Sequence, residues 1–117
     1  MTNVNNREKL GKFTGNGHPR FYELLTKIAD THSRKNADYA KKGDPLSNLR
    51  SSEKYFNVPG YIGTAIRLAD KWERFTNLIR KGKEGPAVKT ESIKDTLEDM
   101  AVYSLLEIIL IEENEKS

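Results

Sequence analysis

The sequence predicts an all-α fold: a small bundle with three main helices, oligomeric through an apolar C-terminal helix. Three observations carry this. Apolar residues recur at spacings of three and four in three separate stretches, which is the period of a helix and not of a strand. Proline or glycine stands at the edges of those stretches, where helices start and stop. The last stretch, residues 91–113, is apolar on two sides, and a helix that is apolar all round must be covered all round.

The elements follow in order. Residues 1–17 are polar and hold Gly11, Gly15 and Gly17, so they read as a flexible N-terminal arm, with Phe13 available to dock on the body. Residues 18–117 read as a single helical domain, as the length of 117 residues predicts. The first helix spans 19–36. Pro19 suits a first helical position, and Phe21, Leu24, Leu25, Ile28 and Ala29 share one face. It is expected to end between His32 and Tyr39. Residues 37–58 are irregular. Gly43-Asp44-Pro45 breaks any helix, and a short helix is expected over 47–54. A connection this long in a small domain is often functional.

Pro59-Gly60 opens the second long helix, and Gly82, Gly85 and Pro86 end it. Its apolar positions Ile62, Ala65, Ile66, Ala69, Trp72 and Ile79 form one stripe, which Leu68 and Phe75 widen. By this pattern Trp72 belongs to the core. Thr90 or Ser92 caps the third helix, with Asp95 at capping-box spacing from Ser92. In that helix Leu97, Met100, Ala101, Leu105 and Ile108 make one stripe, while Val102, Leu106, Ile109 and Leu110 make another side apolar. Three helices cannot cover such a segment alone, so it is expected at a subunit interface of a dimer or tetramer. The alternative is a central core helix in a monomer.

Composition narrows the function classes. There is no cysteine, which excludes disulfides and thiolate metal sites. The polar Met1–Asn6 is not a signal peptide. The longest apolar run, residues 100–111, is about half a membrane span and is broken by Ser104 and Glu107. A cytoplasmic protein without a membrane partner is the expectation. The net charge of +3 conceals an asymmetry: residues 1–90 carry 18 Lys/Arg against 9 Asp/Glu, and residues 91–117 carry 2 against 8. A binder of long nucleic acid would show a larger uniform excess. A local basic pocket fits better.

Three constellations bear chemistry. Arg67, Lys71 and Arg74 share one face of the second long helix. Arg presents a planar fork that suits phosphate oxygens, and Lys adds a point charge. The alternative is a solvated face pairing with Asp70 and Glu73. The irregular stretch supplies Asn36, Tyr39, Lys41, Lys42, Ser47, Asn48 and Arg50. A tyrosine face can stack a base, and Asn or Ser can bond a base edge or ribose. Here the alternative is ordinary turn chemistry. Asp70 and Glu73 on one helix, with Glu91, Asp95, Glu98 and Asp99 on the next, offer oxygen ligands of the kind magnesium takes. For the acidic residues the alternative is capping and salt bridging. His18 and His32 are isolated and read as surface or capping residues. No nucleophile–base pair and no phosphate-cradling glycine loop occurs.

The succession Lys35-Asn36-Ala37-Asp38-Tyr39, Asp44-Pro45-Leu46-Ser47-Asn48, Arg67-Leu68-Ala69-Asp70-Lys71-Trp72-Glu73-Arg74 and Glu91-Ser92-Ile93-Lys94-Asp95-Thr96-Leu97-Glu98-Asp99 resembles a family of small helical proteins encoded by bacteriophages. That family looks like the phage sponge proteins that sequester cyclic-dinucleotide signals of the bacterial CBASS defence. The resemblance implies a non-catalytic, cofactor-free homo-oligomer in the infected host cell, with a cyclic dinucleotide such as cyclic GMP-AMP as partner. Arg67, Lys71, Arg74, Tyr39, Asn36, Asn48 and Ser47 would then bind the ligand. A second resemblance starts from Asp95-Thr96-Leu97-Glu98-Asp99-Met100-Ala101-Val102-Tyr103, which is similar to the second metal helix of MazG-type nucleotide pyrophosphohydrolases. It implies a magnesium-dependent enzyme using Asp70, Glu73, Asp95 and Asp99. This chain departs from the MazG pattern by interleaving Asp70 and Glu73 with Arg67, Lys71 and Arg74. A pure interaction module working through the apolar last helix is the third possibility.

Overall fold

The computed structural model describes residues 15–40, 42–84 and 90–116. Phe13, Lys41, Gly85 and Pro86 lie outside the described residues. Among those described, the chain is all-α. It has four α-helices, α1 Pro19–Tyr39, α2 Ser51–Phe56, α3 Gly60–Glu84 and α4 Thr90–Glu115, with a short 3-10 turn at Ser47–Arg50 ahead of α2. No helix is long and apolar enough to cross a membrane.

Each boundary has a local cause. Pro19 stands in the first turn of α1, where its missing N–H costs nothing. His18 caps this helix: its Nδ1 accepts from the Arg20 N–H at 3.0 Å. The helix runs to Tyr39, the far limit of the expected range, because nothing before Ala40 breaks it. Gly43 then turns the chain at φ +85°, which a side chain would resist. Asp44 Oδ1 accepts from the Leu46 N–H at 3.4 Å. The predicted 47–54 helix resolves into the 3-10 turn and α2. It stops at Asn57, whose left-handed φ of 55° is a common helix ending. Glu53 reaches back over the break, and its Oε2 accepts the Gly60 N–H at 2.7 Å. That carboxylate meets one of the free N–H groups at the start of α3 and complements its dipole.

α3 and α4 pair antiparallel. Tyr61 and Leu110 line a common cleft at one end. Lys71 meets Asp99 further along, and Arg74 meets Thr96 beyond that. The seam on α3 carries buried Thr64 and half-buried Tyr61, Leu68, Lys71 and Phe75. On α4 it carries buried Thr96 and Leu110 and half-buried Asp99 and Tyr103. Leu46 and Leu49 of the 3-10 segment plug one end against Leu110, with Tyr61, Tyr103 and Leu106 around them. α1 lies across α4, held in part by Lys27 Nζ against Glu98 Oε1 at 2.8 Å.

The stripes read from the sequence face the other way. Trp72, expected in the core, is 56% exposed, and Ile66 is 59% exposed. Leu97, Leu105 and Ile108 are exposed as well, whereas Leu68 and Phe75, the widening positions, turn inward. The seam inside the chain is built partly from threonines and ion pairs, so apolar periodicity alone picks the wrong face. Leu106, on the second apolar side of α4, packs within the chain against the Leu46–Leu49–Leu110 cluster.

Candidate functional site

The largest cavity described, about 630 Å³, lies between α1, the 3-10 segment and α4. That is the size range of small-ligand pockets. Tyr39 and Asn36 come from the last turn of α1, Asn48 from the 3-10 turn, and Tyr103 from α4. Three of the residues singled out in the sequence thus meet at one place, although they come from separate elements. The helical run of α1 to Tyr39 is what brings Tyr39 over the cavity. Lys27, His32 and Lys35 follow the same face of α1, spaced as a helical stripe. Asp95, Glu98 and Asp99 line the opposite wall.

Partnering differs sharply among these groups. Asn36 Nδ2 donates to the Pro45 carbonyl at 3.0 Å and so holds the loop after α1. Asn48 Oδ1 is buried and has no hydrogen-bond partner. An acceptor shut away from water without a donor costs about 1–3 kcal/mol, and a turn of the Asn48 side chain, which lines the cavity, would offer that oxygen to an occupant. Lys27 is bonded to Glu98, and that hydrogen bond, with the attraction of the same carboxylate, raises its pKa above the usual lysine value. Lys35 and Arg67 make no ion pair among the described residues.

The basic face of α3 is partly committed. Lys71 Nζ lies 3.1 Å from Asp99 Oδ2, so its ammonium borders the cavity through the carboxylate. Arg74 Nε donates to Thr96 Oγ1 at 3.2 Å, while that hydroxyl donates to the Ser92 carbonyl at 2.8 Å. Arg67 is half-buried one turn before Lys71. Ser47 faces elsewhere, lining a shallow cleft with Asp44 and Arg50. The cations at the cavity itself are Lys27 and Lys35, which sequence reasoning missed. Their spacing of eight from one another on α1 was the available signal.

The acidic set does not assemble as the metal pattern requires. Asp70 and Glu73 line a different cleft beside Arg74 and Lys81. Asp99 and Glu98 face lysine ammonium groups. Among the described residues no three Asp, Glu or His side chains converge to hold an ion.

Comparisons with family models, with curated proteins and with solved structures gave no match. The site therefore rests on its own geometry.

Proposed function

We propose that the α1–α4 cavity binds a small anionic nucleotide and retains it without turnover. The observation that carries this is the lining of one cavity, which brings Tyr39, Tyr103, Lys35 and Asn48 together. A base supplies what each group lacks: an exocyclic N–H for Asn48 and a π-face for tyrosine. Lys35, with Lys71 and Arg67 on the neighbouring helix, supplies charge for phosphate oxygens. A cyclic dinucleotide is the ligand that agrees with the sponge resemblance. On that reading the protein is a phage immune-evasion factor that withdraws the CBASS signal inside the infected cell. The salt-bridged state of Asp99 and Glu98 favours this over magnesium-dependent hydrolysis.

The test is to incubate the protein with radiolabelled cyclic GMP-AMP and with nucleoside triphosphates, with and without magnesium, and then recover the nucleotide. Retention of intact cyclic dinucleotide, unaffected by chelator, supports the proposal. Magnesium-dependent release of pyrophosphate from a triphosphate overturns it in favour of the enzyme. Neither retention nor turnover leaves the interaction module.

A further inference from the structure

The hairpin of α3 and α4 leaves much of its apolar surface outside. Its internal seam holds Thr64, Thr96 and the Lys71–Asp99 pair beside Leu68, Phe75, Tyr103 and Leu110, while its solvent side carries further large apolar residues. On α3 the open stripe is Ile62, Ile66, Trp72 and Ile79, each more than a third exposed. On α4 it is Leu97, Ile108 and Ile111. On α4 this stripe lies about a third of a turn beyond the seam. On α3 Ile62, Ala65 and Ala69 lie about as far round in the same rotational sense, with Trp72 and Ile79 nearer the seam and Ile66 beyond. Because the helices run antiparallel, equal rotations carry both stripes to one side of the hairpin. α1 lies on the other side, where its Lys27 meets Glu98. The result is one continuous apolar face, set apart from the cavity.

We infer that this face is covered by a second copy of the chain, forming a four-helix bundle about a two-fold axis perpendicular to α3 and α4. Two observations select that occupant. The first is area. The seven side chains, with Ala65, Ala69 and Ala101 among them, present on the order of the ~800 Å² per partner that a standard interface buries. That exceeds what a soluble monomer normally leaves open in one patch. The second is charge. Arg80 borders the face at one end of the hairpin and Glu115 at the other. A two-fold perpendicular to the helices and lying in the face stacks α3 on the partner's α3 in reverse, and brings Arg80 to the same end of the bundle as Glu115 of the partner subunit, twice per dimer. A parallel arrangement would set like charges together. The midpoint between Arg80 and Glu115 falls near Ala65, Ala69 and Ala101, small residues that let helix backbones approach closely. The inference does not draw on the nucleotide reading. Residues 1–14 offer only Met1, Val4, Leu10 and Phe13 as large apolar side chains, too few to cover two helices.

Sedimentation velocity on the full chain decides it. The expected result is a dimer at micromolar concentration. Ile66→Glu and Ile108→Glu should each weaken association by a hundredfold or more, with helical circular dichroism retained, since a buried unpaired charge opens an interface. Arg80→Glu should weaken it roughly tenfold, because two symmetric pairs turn repulsive at once. Adding Glu115→Arg to Arg80→Glu should restore most of that loss. The chain has no cysteine, so Ala69→Cys near the axis should give a disulfide-linked dimer on mild oxidation, and Ile79→Cys alone should not. A strictly monomeric full chain overturns the inference. So does a monomer that associates only when residues 1–14 are removed, which assigns the face to the arm. Failure of the double charge reversal to restore association, or equal cross-linking at both cysteine positions, overturns the two-fold arrangement.

Discussion

Lys71 Nζ stands 3.1 Å from Asp99 Oδ2, and this contact joins the two longest helices near their middles. It also bears on the choice between two chemistries. The carboxylate that a MazG-type site would give to magnesium is here given to an ammonium. Both side chains are about a third exposed, so solvent and salt screen the pair. A double-mutant cycle on Lys71→Met and Asp99→Asn should return a coupling of roughly 0.2–1 kcal/mol, falling further in high salt. Millimolar magnesium should leave the melting temperature of the parent unchanged. A rise of several degrees would show that the ion displaces the lysine.

Arg74 and Arg67 should separate in the same assay. Arg74 is bonded to Thr96, which is buried. Arg74→Ala therefore leaves that hydroxyl with one partner fewer and should cost about 0.5–1.5 kcal/mol of stability. Arg67 makes no ion pair among the described residues, so Arg67→Ala should leave the stability within about 0.5 kcal/mol of the parent. On the proposed reading Arg67→Ala still weakens nucleotide binding. An unchanged dissociation constant by calorimetric titration would remove Arg67 from the site.

The sequence made the helices legible but not their facing. Pro19, Pro59 and Gly60 mark starts that the structure keeps, because they act through local backbone chemistry. Facing depends on what lies opposite. A stripe such as Ile62–Ile66–Trp72 says that something apolar must cover it, and says nothing of whether that cover comes from the same chain. Thr64 and Thr96 line the seam without any apolar signal to announce them. The cavity was half legible. Asn36, Tyr39 and Asn48 drew attention as stacking and hydrogen-bonding groups in an irregular stretch. Lys27 and Lys35 lie on a regular helix, where charge reads as solvated surface, and only the packing of α1 on α4 turns them to the cavity.

Thr64 is 1% exposed, and its Oγ1 has no hydrogen-bond partner. Thr64→Val keeps the branched shape and removes the unmet hydroxyl. It should stabilise the chain by up to about 1 kcal/mol, raising the melting temperature by several degrees for a domain of this size. Thermal melts at matched protein concentration check this, since any assembly makes the midpoint concentration-dependent. A loss of more than about 1 kcal/mol would mean that the hydroxyl is bonded in solution.

Burial pushes the Glu107 carboxyl above its ordinary value of 4.5, and its Oε1 is a third unmet buried atom beside those of Asn48 and Thr64. A raised carboxyl pKa means that the folded chain holds this proton more tightly than the unfolded one. The group therefore favours folding below about pH 4.5, and that contribution fades as pH rises through the folded pKa. Glu107→Gln does not titrate. Its melting temperature minus that of the parent should be smallest near pH 4 and grow toward pH 7, reaching a few degrees for a partly exposed group. A difference that shrinks with rising pH would reverse the assignment.

Asn48 gives the sharpest contrast between a structural and a binding role. A residue kept for packing or hydrogen bonding lowers stability when it is truncated. Asn48 Oδ1 is buried at the cavity wall with no partner, so in the unliganded chain it carries a desolvation cost. Asn48→Ala removes that cost together with some packing, and the two offset one another. The expected change in stability is within about 0.5 kcal/mol of zero. The ligand-bound state behaves differently. There the oxygen receives a donor in a partly desolvated site, and its loss should cost about 1–3 kcal/mol, or roughly fivefold to a hundredfold in affinity. Tyr39→Ala should do the same through lost stacking, again with little effect on stability, because Tyr39 is 66% exposed without ligand. Calorimetric titration with a cyclic dinucleotide, paired with thermal melts, reads both quantities on each variant. Unfolded-state effects are shared by both arms, so the comparison isolates the site. If Asn48→Ala melts well below the parent and binds nucleotide as tightly, the residue belongs to the fold and the cavity has lost its strongest claim to a ligand.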